Sequence, residues 1–444
     1  MQQAARRLVQ VAVSLATGIT VGLSPSGTAG GSQPATAAGT QLAATAATQP
    51  AAAGGVRPAT GRTVTAGQSS TAAAVYSPRT AITFNNPQGT RPQQLAIITQ
   101  IDRAVDAAPR GSTITAAQYH FDISSTAFKL VAAHRRGVNV KLLIDDGFRT
   151  KQVTSLRKAL GANEKKRSFV TSCRRSCMTN VPSVMHAKFF LFSTSGRAKQ
   201  VTMVSSANVY TDNTFTSWNN LHTIVGNAVL HRSLSRYFAD MITDRNNPNY
   251  YRTALSGPYK LYMYPRAART GTNTVLLLDV LNNVTCTGVA RGYGRGGRTV
   301  IRVAVWGWSA ARTDLARKLW QLHDRGCRVE VLLNKATSSP NVRAALLKRS
   351  TRSGLLPVHD GWYDRNRNGK AELYVHHKVM TINGRWFGRS TKVAYTGSQN
   401  YTGPGTRANN EVVLRVKNNA TVDAYGANLD QIRNRHTKKM NRVG

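Results

Sequence analysis

The feature that most limits what this chain can fold into is a duplication. Residues 112–146 read STITAAQYHFDISSTAFKLVAAHRRGVNVKLLIDD, and residues 299–334 read TVIRVAVWGWSAARTDLARKLWQLHDRGCRVEVLLN. In each, an apolar run of strand length is followed by apolar residues at helical spacing, an Arg-Gly turn and a second apolar run, the pattern of a parallel βαβ unit. The spacing predicts buried helical stripes of Phe128, Val131 and Ala132 in the first copy and of Leu315, Leu319 and Leu322 in the second. Gly137 and Gly326 stand where a helix ends in a left-handed residue.

The copies stay in step further along. His186 lies 49 residues after Gly137, in VMHAKFFLF, and His376 lies 50 after Gly326, in YVHHKVMTI. Side chains alternate along a strand, so His186 and Lys188 share one face, His376 and Lys378 share another, and His377 points away. A lysine inside an apolar strand needs a partner or a polar cavity. Asn208, closing SSAN (205–208), follows His186 by 22 residues, and Asn400, closing GSQN (397–400), follows His376 by 24.

Two half-sites joined by a pseudo-twofold would bring His186, Lys188 and Asn208 against His376, Lys378 and Asn400. That set suits a phosphodiester. One imidazole attacks phosphorus, the other protonates the leaving oxygen, and two ammonium groups with two amides stabilise charge on the non-bridging oxygens. The scheme needs neither metal nor cofactor.

On these residues the chain resembles the phospholipase D superfamily, marked by a duplicated HxKx4D followed by GSxN, over about 84–435. The resemblance implies two α/β/α lobes with mixed sheets, an active site at their seam, and a covalent phosphohistidine with His186 as nucleophile and His376 as general acid. Lys188, Lys378, Asn208 and Asn400 become the phosphate clamp, with Ser206 and Ser398 supporting. The family aspartate falls on Ser193 and Asn383, and the first GSxN glycine on Ser205. Glu411, in NNE (409–411), matches the downstream acidic position and is expected to orient a histidine, with His222 in NLH (220–222) as its first-half counterpart.

Composition frames the rest. Lys and Arg number 60 against 19 Asp and Glu, a net charge of +41 that favours polyanionic partners, nucleic acid or an anionic membrane. The first carboxylate is Asp102; Arg6 and Arg7 precede an apolar run and Ala35-Thr36-Ala37 offers a cleavage site. A secretory signal is therefore expected over 1–37, an Ala/Thr/Gly-rich linker over 38–80, a first lobe over 81–255 and a second over 256–444. No later stretch approaches the roughly 18 apolar residues of a membrane span, and a monomer is expected.

Cys173, Cys177, Cys286 and Cys327 suggest two disulfides in an exported protein, with a metal site at the CxxxC as the alternative. DRNRNGKAE (364–372) partly matches a calcium loop but has Val375 at the twelfth position, and a polar turn is the preferred reading. RGYGRGGR (291–298) could lie along a phosphate backbone, and Trp306, Trp308, Trp362 and Tyr363 stand near strand ends where site walls form. The expected function is a secreted phosphodiesterase acting on a phospholipid head group. The alternatives are a secreted nuclease and a catalytically degenerate polyanion binder.

Overall fold

The computed structural model describes residues 76–268 and 275–441. The expected leader over 1–37 and most of the expected linker lie outside the described residues. Residues 76–80 are not linker: the Arg103 guanidinium lies 4.1 Å over the Tyr76 ring, Ser77 Oγ accepts the Arg197 N–H at 2.7 Å, and Thr80 Oγ1 accepts that of Val225 at 3.1 Å. The fold thus begins upstream of Ala81.

The first lobe's strands are β1 (Ala81–Phe84), β2 (Thr113–Gln118), β3 (Asn139–Ile144), β4 (Phe169–Thr171), β5 (Phe189–Ser195), β6 (Ala198–Ser205), β7 (Ser217–Trp218) and β8 (Asn220–Ile224). All but β7 form one sheet, in the order β1-β8-β6-β5-β2-β3-β4. The second lobe's are β9 (Arg252–Ser256), β10 (Tyr259–Met263), β11 (Val284–Thr285), β12 (Val300–Val305), β13 (Arg328–Leu333), β14 (Val358–Asp360), β15 (Tyr374–Val375), β16 (Lys378–Trp386), β17 (Arg389–Gly397), β18 (Val412–Val416) and β19 (Lys438–Met440). Their sheet runs β19-β14-β13-β12-β16-β17-β18-β10-β9, with β11 on β16. The stretches β4-β3-β2-β5-β6-β8 and β14-β13-β12-β16-β17-β18 have the same order, so the sequence duplication is a duplication of topology. In each, the βαβ strands are parallel and the later ones antiparallel.

The sequence boundary at 255/256 falls inside the β9–β10 hairpin, and both strands belong to the second sheet through β10–β18 pairing. A tight turn keeps two strands paired however the chain is divided.

Both sheets are covered on both faces, which is why their central strands read as continuous apolar runs. In β5, Phe190 and Phe192 enter the core beneath the helices Ala96–Asp106, Ser124–Arg135 and Lys151–Leu160. Phe189 and Leu191 enter a different core with Leu234 and Phe238 of the helix Ala228–Ile242 and with Val412 and Leu414 of β18. That second core is shared by the two lobes, so burial of apolar area joins them. Leu315, Leu319 and Leu322 are buried as expected.

The first-copy stripe is corrected. Phe128 is 72% exposed, and the buried face of its helix is Thr126, Ala127, Leu130 and Ala133. Small residues suit a helix lying between two others, and Thr126 is drawn inward by its bond to Asp102 at 2.6 Å. Gly137 and Gly326 both take φ +88°, a conformation open to glycine.

Candidate active site

Each histidine is hung between the lobes. β15 pairs with β7 of the first lobe, and the next amide, His376 N–H, donates to Trp218 O at 3.1 Å. The mirror contact is His186 N–H to Asn410 O at 3.0 Å. Just after β3 and β13, Asp145 accepts the Met185 N–H at 2.8 Å and Asn334 accepts the Val375 N–H at 3.2 Å. Burial pushes Asp145 up to about 7. The residue before each histidine is therefore fixed by its own half and the histidine's amide by the other.

The rings follow the same crossing. His186 Nδ1 lies 2.9 and 3.0 Å from the two Glu411 oxygens, and Glu411, fully buried, also accepts from Ser398 Oγ and from Asn409 Nδ2 at 3.2 Å. His376 Nδ1 lies 2.8 Å from Asn219 Oδ1, which also accepts from Ser206 Oγ at 3.0 Å. The Asn219 amide nitrogen donates to Asn213 O at 3.0 Å and Ser217 Oγ at 3.0 Å, which fixes its oxygen toward the ring. Both acceptors require Nδ1 to carry the proton, leaving Nε2 with a free lone pair in each neutral ring.

The pairs differ in charge. Burial drives His186 down to about 4 against the opposing pull of Glu411. Burial, with Lys378 and Lys188, drives His376 well below its ordinary value, and no carboxylate opposes it. Glu411 is pushed up by burial but held below its ordinary value by His186, Lys188 and Ser398.

Lys188 Nζ and Lys378 Nζ each donate to the carbonyl of their own histidine, both at 2.7 Å. Lys188 lies 5.2 Å over the Tyr119 ring and Lys378 5.9 Å over Trp306. Burial pushes Lys188 down to about 7 and, with the Lys188 charge, pushes Lys378 well down. Any anion placed between the two ammonium groups would reverse that trend, since opposite charge favours the charged form.

The asparagines are less symmetric. Asn208 Nδ2 donates to Asn213 Oδ1 at 2.6 Å, and its Oδ1 accepts the His120 N–H at 3.2 Å, whereas Asn400 Oδ1 has no partner among the described residues.

His222 is the site residue the structure moves elsewhere. Its Nε2 lies 3.0 Å from Tyr425 Oη, a ring that His377 also meets, and not beside His186 or His376 as a partner of either ring. The first-half counterpart of Glu411 is Asn219: His376 N–H bonds to the carbonyl before Asn219 just as His186 N–H bonds to the carbonyl before Glu411. Equal spacing could have found it, because Asn219 follows Asn208 by 11 residues and Glu411 follows Asn400 by 11. Ser193 and Asn383, at the aspartate positions, accept the N–H groups of Thr113 at 2.9 Å and Gly294 at 2.8 Å. They fix chain segments away from the histidines.

The remaining candidates also resolve. Cys173–Cys177 and Cys286–Cys327 are disulfides, so the CxxxC holds no metal. Asp364 accepts the N–H groups of Asn368 at 3.1 Å and Gly369 at 2.8 Å, forming a polar turn. RGYGRGGR lines a cleft with Val300 and Arg328, at the strand ends opposite the histidines. Trp306 packs edge-on to His376 at 5.9 Å, and Trp308 is wholly core. Trp362 flanks Tyr374 at 6.0 Å, and Tyr363 is 38% exposed. Sequence reasoning also missed His120, a third buried ring beside the site.

The family model for "Cardiolipin synthase, PLD-like domain" matches residues 97–242 and again 298–433. The chain belongs to this PLD-like family. The two matched segments hold the two His-x-Lys strands, and the family lies within the phospholipase D superfamily to which the motifs pointed. Among solved structures, a phosphatidylserine synthase from Haemophilus influenzae aligns with TM-score 0.52 and 15% identity, over 82% of this chain and 88% of that one. At that identity the PLD-like fold alone is shared. A polyphosphate kinase from Porphyromonas gingivalis aligns with TM-score 0.46 and 11% identity over 80% of this chain, which spans half the length of the kinase. Nuc from Salmonella typhimurium, a phospholipase D family member, aligns with TM-score 0.29 and 18% identity, over 37% of this chain and 95% of that one. No curated protein matches the sequence. No helix among the described residues is long and apolar enough to cross a membrane.

Proposed function

We propose that the chain is a secreted phosphodiesterase that cleaves the head-group ester of a phospholipid through a phosphohistidine on His186. The observation that carries this is the crossed, unequal pairing of the rings: carboxylate behind His186, amide behind His376. A carboxylate behind an imidazole raises its basicity and steadies the positive charge that grows as Nε2 bonds to phosphorus. A neutral amide gives no such support, so a protonated His376 yields its proton more readily.

In the first step His376, which takes up a proton at Nε2 when the phosphodiester anion is bound and its charge favours the imidazolium, passes that proton to the head-group oxygen as His186 Nε2 bonds to phosphorus and the bond from phosphorus to that oxygen breaks. In the second, water loses a proton to His376 and attacks phosphorus; the P–N bond breaks, giving phosphatidic acid and free His186. An alcohol in place of water gives transfer instead of hydrolysis. Lys188 and Lys378 balance charge on the non-bridging oxygens in a pocket where burial strengthens each contact.

The family description, with a fold match to a phosphatidylserine synthase over 82% of this chain, supports a lipid substrate. Two disulfides support an oxidising compartment. The +41 charge favours the nuclease reading, although the basic loop at 291–298 lies away from the histidines. The deciding experiment offers the purified protein phosphatidylcholine or phosphatidylglycerol vesicles, or single- or double-stranded DNA, with EDTA throughout. Head-group release lost in His186→Ala and in His376→Ala is expected. DNA cleavage without lipid turnover replaces this reading with the nuclease, and retention of DNA without any turnover replaces it with the binder.

A further inference from the structure

His120 stands two residues past the end of β2, after Tyr119, and is 6% exposed. Neither Nδ1 nor Nε2 has a hydrogen-bond partner among the described residues. The ring stacks on Tyr119 at 4.2 Å between centroids, meets Tyr210 edge-on at 4.8 Å, and packs on Phe148. An apolar ring would fill this aromatic slot without two unpaired nitrogens, and a buried polar group left unpaired destabilises a fold. Such a group points to a partner that arrives with the substrate.

Its surroundings say which partner. The backbone N–H of His120 donates to Asn208 Oδ1 at 3.2 Å, and protonation of its ring is opposed by Lys188 and by that of His186, as that of His376 across the seam is opposed by His120. With burial these neighbours keep the ring neutral, with one N–H to give and no positive charge to add to a site that already holds two lysines.

The duplication adds a second argument. Tyr119 and Trp306 follow β2 and β12 and each lies beneath its own lysine, so His120 corresponds to Gly307. A Cβ on Gly307 would lie 3.6 Å from Asn400 Cγ, and Asn400 keeps an unpartnered Oδ1. In the first half the asparagine amide is already bonded to Asn213. One half thus offers a less encumbered amide beside a glycine, and the other a tethered amide beside an imidazole.

We propose that His120 is a substrate-contacting residue whose ring N–H donates to a non-bridging phosphoryl oxygen on the His186 side, supplementing the tethered Asn208 amide. The assignment rests on the phosphodiester reading above and deepens it. The leaving group departs opposite His186, so His120 holds the phosphoryl group that stays on the enzyme.

The test uses the full chain with EDTA and two probes, orthovanadate affinity by calorimetry and kcat/KM on phosphatidylcholine vesicles. His120→Phe keeps the aromatic slot filled and removes both nitrogens; His120→Gln restores an N–H donor. Loss of a hydrogen bond to a charged oxygen predicts roughly tenfold or greater loss of vanadate affinity in His120→Phe, a parallel fall in kcat/KM, substantial recovery in His120→Gln, and an unchanged or higher Tm in His120→Phe. Vanadate affinity in His120→Phe equal to wild type overturns the proposal and leaves the phosphodiesterase intact. Equal losses in both variants with a lowered Tm assign the ring a packing role and also overturn it. A wild-type protein that neither binds vanadate nor cleaves lipid removes both this proposal and the reading beneath it.

Discussion

Glu411 and Asn219 occupy the same place in two copies of one motif, yet one is a carboxylate and the other an amide. If His186 is the nucleophile it must be neutral, so activity is lost as pH falls through its value of about 4. Glu411 raises that value, and Glu411→Gln therefore moves the acid limb of kcat/KM to lower pH while lowering kcat by about a hundredfold or more; a pH–rate profile checks both. Asn219→Asp places a negative charge behind His376 and raises its affinity for a proton, so the alkaline limb moves to higher pH. Asp145 gives a separate stability signature. Its folded value of about 7 lies above the unfolded value of about 4, so its contribution is complete at low pH and is lost as pH rises from about 4 through 7. Chemical denaturation across that range should show a flatter profile for Asp145→Asn than for wild type. At this scale the two His-x-Lys pairs and both asparagines were legible because they recur at matched spacing, and Glu411 because it stands at the downstream acidic position of the family the motifs resemble. Asn219 and His120 were not: an amide in place of an acid breaks the pattern, and His120 has glycine as its twin.

Elements were legible where burial uses large residues and obscure where it uses small ones. The leucines of Thr313–Asp324 announced their face, but Ser124–Arg135 buries Thr126, Ala127 and Ala133 and leaves Phe128 in water, because closely approaching helices select small side chains there. Residue spacing cannot tell such a face from an exposed one. The segment between Cys173 and Cys177 is tied to the second lobe, with Ser176 Oγ donating to Ala408 O at 2.7 Å, three residues before Glu411. Its disulfide closes a separation of 4 residues and that of Cys286–Cys327 one of 41, so loop entropy assigns about 2 kcal/mol to the first and about 4 kcal/mol to the second. Serine replacement of Cys286 and Cys327 should therefore cost more stability and little activity. Replacement of Cys173 and Cys177 should cost less stability and more activity, read by urea unfolding beside turnover.

On the scale of the whole molecule, neither lobe holds a complete site. Each histidine takes its orienting acceptor from the opposite half, and a core of Phe189, Leu191, Val412 and Leu414 binds the halves together. Both halves lie in one chain, so mixing full-length His186→Ala with full-length His376→Ala should restore no activity; recovery would mean that the site forms between chains. The pseudo-twofold was legible from the repeat. The crossing was not, because strand pairing across the seam, Met185 with Asn410 and β7 with β15, leaves no trace in local pattern. The most direct measurement of the central claim is mass spectrometry of the enzyme quenched with detergent at mildly alkaline pH, where a P–N bond survives, during turnover of a short-chain phosphatidylcholine. A phosphatidyl adduct on the His186 peptide of the wild-type enzyme, absent in His186→Ala and in His376→Ala, is the predicted result, and an adduct on His376 or turnover that survives in His186→Ala would contradict it.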